Sequence, residues 1–269
     1  MHIVGQEQTL AELSKICEIF KCSEQEIKPH FILAGASGSG KTLLIQSLAE
    51  AFEFGFLEVN AAQLTKEGTS GNSLSKALAP LKDYGNKPTI VFVDEWDKLF
   101  ISGNSNSNKA TESTTEVQNE FLKILEGDNA TVFGSYGSYD NVSVRNILFV
   151  FAGAFNNEKD ISIDRLREMG VKTEFLGRVS LVFNTAPLSI ENLYTILEQS
   201  TLLSRYLALF SNVNKEDVLE CLKFHVKKNF EMNTLGARLI NTLIHQYFIK
   251  GGKIEDTVKE VTFQTKLKF

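Results

Sequence analysis

Cysteine is scarce in this chain. Cys17, Cys22 and Cys221 make an odd count without the paired spacing of a zinc site. They read as reduced thiols of a cytoplasmic protein, and neither a disulfide nor a cysteine metal site is expected of them. Long apolar runs are missing too. Nowhere do about 18 uninterrupted apolar residues occur, and the start, MHIVGQEQTLAEL, lacks a basic segment leading into an apolar one, so neither membrane spanning nor export is expected. Nor is there an excess of positive charge: 28 Lys and Arg face 33 Asp and Glu, a net charge of −5 with a pI near 5.5. That balance gives no overall attraction to nucleic acid or to an anionic membrane. Histidine is limited to His2, His30, His225 and His245, scattered along the chain, which read as surface or packed residues rather than catalytic ones. The remaining composition is ordinary, and 269 residues suffice for one large core and a small satellite domain.

Two segments carry chemistry. GASGSGKT, Gly35 to Thr42, stands between the apolar run Phe31 to Ala34 and the helix-patterned LLIQSLAEAF. Gly35, Gly38 and Gly40 let the backbone curl so that its N–H groups point inward, and the N-terminus of the following helix adds partial positive charge. The result is a phosphate cradle formed by Ala36, Ser37, Gly38, Ser39, Gly40, Lys41, Thr42 and Leu43. Lys41 would reach the β- and γ-phosphates of ATP, and Thr42 would place its hydroxyl on Mg²⁺. The second segment, TIVFVDEWDKLF from Thr89 to Phe100, leads four apolar β-formers into two adjacent carboxylates. Asp94 and Glu95 therefore emerge at the carboxyl end of a buried strand, where open α/β sheets bind ligand. Asp94 would join the Mg²⁺ shell and Glu95 would orient or deprotonate an attacking water.

Five β-type runs, Phe31 to Ala34, Phe56 to Val59, Thr89 to Val93, Ile147 to Phe151 and Ser180 to Phe183, alternate with helical patterns. The helical patterns include a first helix carrying Leu10, Leu13, Ile16 and Phe20, then Leu43 to Phe52, Leu74 to Leu81, Val117 to Glu126 and Asp164 to Met169. This alternation predicts an α/β fold with a five-stranded parallel sheet covered on both faces. After Pro187 only helical patterns follow, at Ile190 to Glu198, Leu202 to Phe210, Asp217 to Phe230 and Leu235 to Ile249. A large nucleotide-binding domain over 1–187 and a small α-helical lid over 188–269 are expected. Ile101 to Thr115 is polar and Asn/Ser-rich and reads as a mobile loop. Phe133 to Asn146, which carries Tyr136 and Tyr139 between glycines, reads equally as a β-hairpin or as a loop that touches substrate.

The order of these motifs resembles that of the AAA+ ATPases, in particular the ClpX and HslU group of protein unfoldases, from Ile3 to about Phe263. IVGQEQ, Ile3 to Gln8, looks like the group's N-terminal nucleotide box, which implies that Ile3 and Val4 flank the adenine. DEWDKL is similar to its acidic strand end, EVQNEFLKILEG to the helix that follows, and ILFVFAGAF to its fourth strand. EFLGRVSLVF, Glu174 to Phe183, resembles the segment with the arginine finger, while LLSRYLALF and LGARLI resemble the small domain. The resemblance implies that Arg178 reaches the γ-phosphate of the neighbouring subunit and that Arg238 reads nucleotide state in its own subunit. It leaves Asn156, just beyond FAGAF, as the sensor-1 position.

The resemblance has gaps. Where the group grips polypeptide with an aromatic between glycines, TKEGTSGNSL retains Gly68 and Gly71 but places Thr69 and Ser70 between them. The aromatic grip is missing there, and Tyr136 or Tyr139 in the later loop could substitute for it. Only about twenty residues separate FAGAF from EFLGR, so the peptidase-docking insertion is absent and a ClpP-type partner is not expected. The group's zinc module and long intermediate insertion have no counterpart here. The expectation is a minimal Mg²⁺-dependent ATPase, a homo-oligomer implied to be hexameric, that remodels, unfolds or disassembles a protein client of unknown identity. Two rivals remain: an ATP-gated oligomeric switch with slow hydrolysis, and a nucleic-acid-dependent loader using Lys66, Lys76, Lys109 or Arg145.

Overall fold

The apolar runs pair side by side in the computed structural model, which describes residues 3–65, 72–100, 108–210, 213–252 and 254, and of 108–115 the backbone only. Lys66, Thr69, Ser70 and their flanking glycines therefore lie outside the described residues, as do the Lys109 side chain and the end of the resemblance near Phe263. The chain folds as two compact units, 1–187 and 188–269.

In the first unit the longer strands are β1 (Phe31–Ala34), β2 (Gly55–Asn60), β3 (Thr89–Asp94), β4 (Asn129–Phe133), β5 (Tyr139–Ser143), β6 (Ile147–Gly153) and β7 (Leu181–Asn184). Five of them form one sheet in the order β2-β3-β6-β1-β7, every pairing parallel. After α1 (Glu7–Cys22), which precedes the sheet, parallel neighbours need crossovers, and the helices α2 (Lys41–Phe52), α3 (Leu74–Ala77), α4 (Asn108–Glu126), α5 (Ile163–Glu168) and α6 (Thr173–Arg178) lie between the strands in sequence. Because strand side chains alternate between faces, one sheet feeds two cores. Phe31, Leu33, Ile90, Phe92, Leu148 and Val150 pack with Leu13 and Phe20 of α1 and Leu44, Ile45 and Leu48 of α2. Ile32, Val91, Val93, Phe149 and Phe151 pack on the other face with Trp96, Val117 and Phe121 of α4, and Phe175 of α6.

Three sequence expectations are corrected. The polar stretch read as a loop up to Thr115 is helical from Asn108. Once Val117 and Phe121 anchor the helix, each residue added in front contributes one backbone hydrogen bond, so polar sequence can extend it. The single helix expected over Leu74 to Leu81 stops at Ala77, and a 3₁₀ turn covers Ala79–Asp83 with Pro80 near its start. Pro lacks the N–H needed to continue an α-helix. The last helix begins at Arg238 rather than Leu235, since Gly236 adopts φ 55° and Asn233 accepts from the Leu235 N–H. Between Phe133 and Asn146 the chain completes a hairpin, with Phe133 opposite Tyr139 and the tip at residues 134–138.

His30 and Cys17 are core residues. His30 accepts from the Phe149 N–H at 3.0 Å through Nδ1, and burial, with Lys28 adding to it, holds its pKa down at about 4. Burial pushes the Cys17 thiol up to about 12, which suppresses the nucleophilic thiolate.

The second unit comprises α7 (Ile190–Glu198), α8 (Thr201–Leu209), α9 (Lys215–Asn229) and α10 (Arg238–Ile249). Ser189, Ser200 and Asn214 cap the first three through their side-chain oxygens. Leu193, Leu197, Leu203, Val218, Leu222, Val226, Leu239, Ile240, Leu243 and Ile244 form its core. Among the described residues no helix is long and apolar enough to cross a membrane.

Candidate active site

The Gly-rich loop joins β1 to α2 and is crowded from several directions. A Cβ on Gly35 would lie 1.7 Å from Thr185 Oγ1, so any larger residue would have to displace that side chain. Gly38 and Gly40 adopt φ 72° and 95°, a left-handed backbone that glycine enters without strain. Gly40 then starts α2, where the Leu44 N–H donates to its carbonyl at 2.8 Å. Lys41 is buried, and its Nζ donates to Gly35 O at 2.7 Å and Ala36 O at 3.1 Å. The ammonium thus lies folded over the loop. Thr42 and Leu43 follow in the first turn, both half-buried.

The N-terminal box packs beside this loop. Ile3 is buried in the core formed with α1 and α2, and Val4 is half-buried. The buried Gln6 donates from Nε2 to Ala186 O at 2.7 Å and Ser39 O at 3.4 Å, while its Oε1 accepts from the Ala186 N–H at 2.8 Å. Thr185 Oγ1 donates to Ser39 Oγ at 2.9 Å. The bonds that Gln6 and Thr185 make here were not legible in the sequence, because their partners lie 33 to 180 positions away.

Asp94 ends β3, and its Oδ1 accepts from the Glu95 N–H at 2.8 Å. Glu95 is exposed at φ 54°, an uncommon conformation for a non-glycine residue, where the strand turns sharply into Trp96–Leu99. Glu58 on β2 is held above the ordinary carboxylate range, first by partial burial and then by the negative charge of Asp94. β6 lies between β1 and β3 in the sheet, so the turn that follows it is flanked by both segments. Asn157 in that turn accepts from the Ser37 N–H at 3.3 Å through Oδ1, whereas Asn156, the position expected from sequence, has no such bond to the loop.

The two arginines lie on other helices. Arg178 closes α6 and pairs with Glu126 at 3.1 Å, both side chains about half exposed. Arg238 is the first residue of α10, exposed, in the second unit. The structure therefore assembles Lys41, Thr42, Asp94 and Glu95 at the carboxyl ends of β1 and β3, and leaves Arg178 on the surface of the same unit.

The residues suit Mg·ATP. A curled loop at a helix N-terminus offers N–H donors to phosphate oxygens, and the crowding at Gly35 fixes its shape. Thr42 and Asp94 supply one hydroxyl and one carboxylate, the sparse oxygen set that Mg²⁺ accepts when phosphate and water complete its shell. Among the described residues no three His, Cys, Asp or Glu side chains cluster as a self-contained metal cage.

Comparison with known proteins agrees with this geometry. Residues 31–175 match the model of the ATPase family associated with various cellular activities (AAA). The chain is 28% identical over 255 residues to the ATP-dependent Clp protease ATP-binding subunit ClpX 2 of Wolinella succinogenes. It is 29% identical over 263 and 264 residues to the ClpX subunits of Porphyromonas gingivalis and Bacteroides fragilis. These alignments cover 81% of this chain and 63% to 64% of the relatives, so the chain spans less than two thirds of their length.

Proposed function

This chain belongs to the AAA family of ATPases, and from that premise we propose that it hydrolyses Mg·ATP within a homo-oligomeric ring and uses the cycle to remodel or disassemble a protein partner. The observation that carries this reading is the convergence of Lys41 and Thr42 after β1 with Asp94 and Glu95 after β3, at the carboxyl end of one parallel sheet. Lys41 exchanges the carbonyls of Gly35 and Ala36 for β- and γ-phosphate oxygens. Thr42 and Asp94 would hold Mg²⁺, which when bound would neutralise charge on the phosphate oxygens. Glu95, exposed at the strand end, orients the attacking water.

Arg178 acts in trans on the site of a neighbouring subunit, and Arg238 reads nucleotide in its own. To serve as a finger, Arg178 leaves Glu126, and an exposed pair of that kind holds it by only about 0–1 kcal/mol. Its guanidinium then meets the charge building on the transferring phosphoryl group, an effect worth roughly 10³ to 10⁵ in rate. The ring is hexameric and cytoplasmic on this reading. The stretch between β6 and α6 is occupied by the short α5, whose Arg165 pairs with Glu158 and Glu168, and no ClpP-type peptidase partner is proposed.

The client contact is assigned to the hairpin tip. Tyr136 is fully exposed there, while Tyr139 is half-covered, edge-on to Phe133. Of the two, Tyr136 is the ring that can meet a polypeptide. Nucleic acid fits this surface poorly: Arg145 pairs with Asp128 and Lys82 with Asp140.

The test is specific ATPase activity against protein concentration, for wild type and Arg178→Ala, with mass measured in the same samples. Activity that rises with assembly and collapses in Arg178→Ala is the expected result. A low, flat rate from a monomer indifferent to Arg178 would overturn the trans-acting ring and favour an ATP-gated switch.

A further inference from the structure

Asp97 is a buried carboxylate that the proposed ATP chemistry does not use. It is 1% exposed, in the turn Trp96–Leu99 that follows Glu95. Its Oδ2 accepts from the Phe155 N–H at 3.1 Å and lies 3.9 Å from the Lys98 ammonium. Its Oδ1 has no hydrogen-bond partner among the described residues. The carboxylate also presses against β6, since a Cβ on Gly153 would lie 2.6 Å from Oδ1. A buried carboxylate with one unsatisfied oxygen is costly and calls for a structural or functional reason.

The reason lies in what Asp97 holds. Phe155, Asn156 and Asn157 adopt φ 47°, 57° and 57°, three consecutive left-handed residues of which none is glycine. L-residues disfavour that conformation, and such a run persists only where surrounding contacts over-determine it. Two contacts fix its start: the Phe155 ring is fully buried, with Phe100 6.2 Å away, and the Phe155 N–H is held by Asp97. At its end Asn157 Oδ1 accepts from the Ser37 N–H of the phosphate loop at 3.3 Å. Because β6 lies between β3 and β1, the turn joins the acidic strand end on one side to the phosphate loop on the other.

We propose that Asp97 is a positioning residue: it sets the left-handed turn 155–157 and thereby keeps Asn157 against Ser37, so nucleotide affinity depends on Asp97 by way of Asn157 and not by contact with nucleotide. This rests on the reading of residues 35–42 as the nucleotide loop. A phosphate oxygen that takes the Ser37 N–H must displace the Asn157 carbonyl, so the turn opposes diphosphate binding by the strength of one net hydrogen bond.

The experiment measures the dissociation constant of fluorescently labelled Mg·ADP for wild type, Asn157→Ala, Asp97→Ala, Asp97→Asn and the double variant Asp97→Ala/Asn157→Ala, with Lys41→Ala as control. Asn157→Ala and Asp97→Ala should each tighten binding by about fivefold, and the double variant should show the same shift rather than the product of two. Asp97→Asn keeps an oxygen for the Phe155 N–H and should restore the wild-type constant. Multiplicative shifts, or an Asp97→Ala protein whose only change is a lower melting temperature, would overturn the proposal. If Asp97→Ala does not fold, Gly153→Ala displaces the carboxylate instead. Its shift must then equal that of Asn157→Ala and vanish when the two are combined, or the proposal fails. Absence of Lys41-dependent ADP binding in wild type would overturn the nucleotide reading as well, whereas Lys41-dependent binding with independent shifts overturns the Asp97 role alone.

Discussion

Two glycine-rich turns of similar composition, GASGSGKT at residues 35–42 and FGSYGS at residues 133–138, have opposite physical characters. The first is enclosed. Gln6, Asn157 and Thr185 hold it from distant parts of the chain, its lysine is buried, and a methyl group on Gly35 would strike Thr185. The second projects. Gly137 has nothing within 4 Å of where a Cβ would stand, and its neighbour Tyr136 is a fully exposed ring on a left-handed backbone. Gly35 in the first turn answers to its neighbours, whereas Gly137 in the second answers only to its own dihedral angle. A turn shaped by its surroundings suits a ligand of fixed geometry such as a phosphate. A turn shaped by itself suits a partner whose sequence varies.

Substitutions sharpen that contrast. The largest effect is expected at the strand end that serves the enclosed turn: Glu95→Gln should lower turnover by about 10² to 10⁴ while ATP still binds, and the assembled form should accumulate. Steady-state turnover read beside ATP binding and mass checks this, and full turnover would remove Glu95 from its assigned role. Within the turns, Lys41→Ala should weaken ATP binding by about 10²-fold through loss of charge-assisted hydrogen bonds. Lys82→Ala, at the foot of the hairpin, should leave that affinity within about twofold. Titration calorimetry on both variants decides whether the nucleotide belongs to the first turn alone.

The glycines provide a smaller, paired test. Gly35→Ala should cost about 3 kcal/mol or more from overpacking, while Gly137→Ala should cost about 1 kcal/mol from its dihedral alone. Denaturant unfolding of the two variants would erase the contrast if the costs came out equal. The smallest expected effect is at Tyr136→Ala/Tyr139→Ala, where basal ATPase and melting temperature should stay within error while client processing falls several-fold. Normal processing would move the client contact elsewhere.

The sheet was legible because each strand is an apolar run bounded by polar residues, a signal contained within a few positions. The places of Lys41, Thr42, Asp94 and Glu95 at the ends of β1 and β3 were readable for the same reason, since loop and strand are local patterns. What escaped is non-local. Gln6, Thr185, Asn157 and Asp97 act through partners 33 to 180 residues away, and even where IVGQEQ and DEWDKL mark Gln6 and Asp97 as part of a motif, nothing local names those partners. Asn156 and Asn157 are adjacent and chemically identical, so only the left-handed turn decides which one meets Ser37. The start of α4 was hidden by composition, because NKATESTTE resembles loop sequence until the buried Val117 and Phe121 behind it are considered.

Gln6 has a mechanical consequence. Its side chain grips both the N–H and the C=O of Ala186, next to Pro187, the last residue of the first unit. A tensile load arriving along the chain from residue 188 therefore meets a two-point clamp before it can peel β7 from β1. The same Nε2 also donates to Ser39 O at 3.4 Å, so the clamp and the phosphate loop share one side chain. One uncharged amide thus ties the end of the large unit to the loop where phosphate would sit.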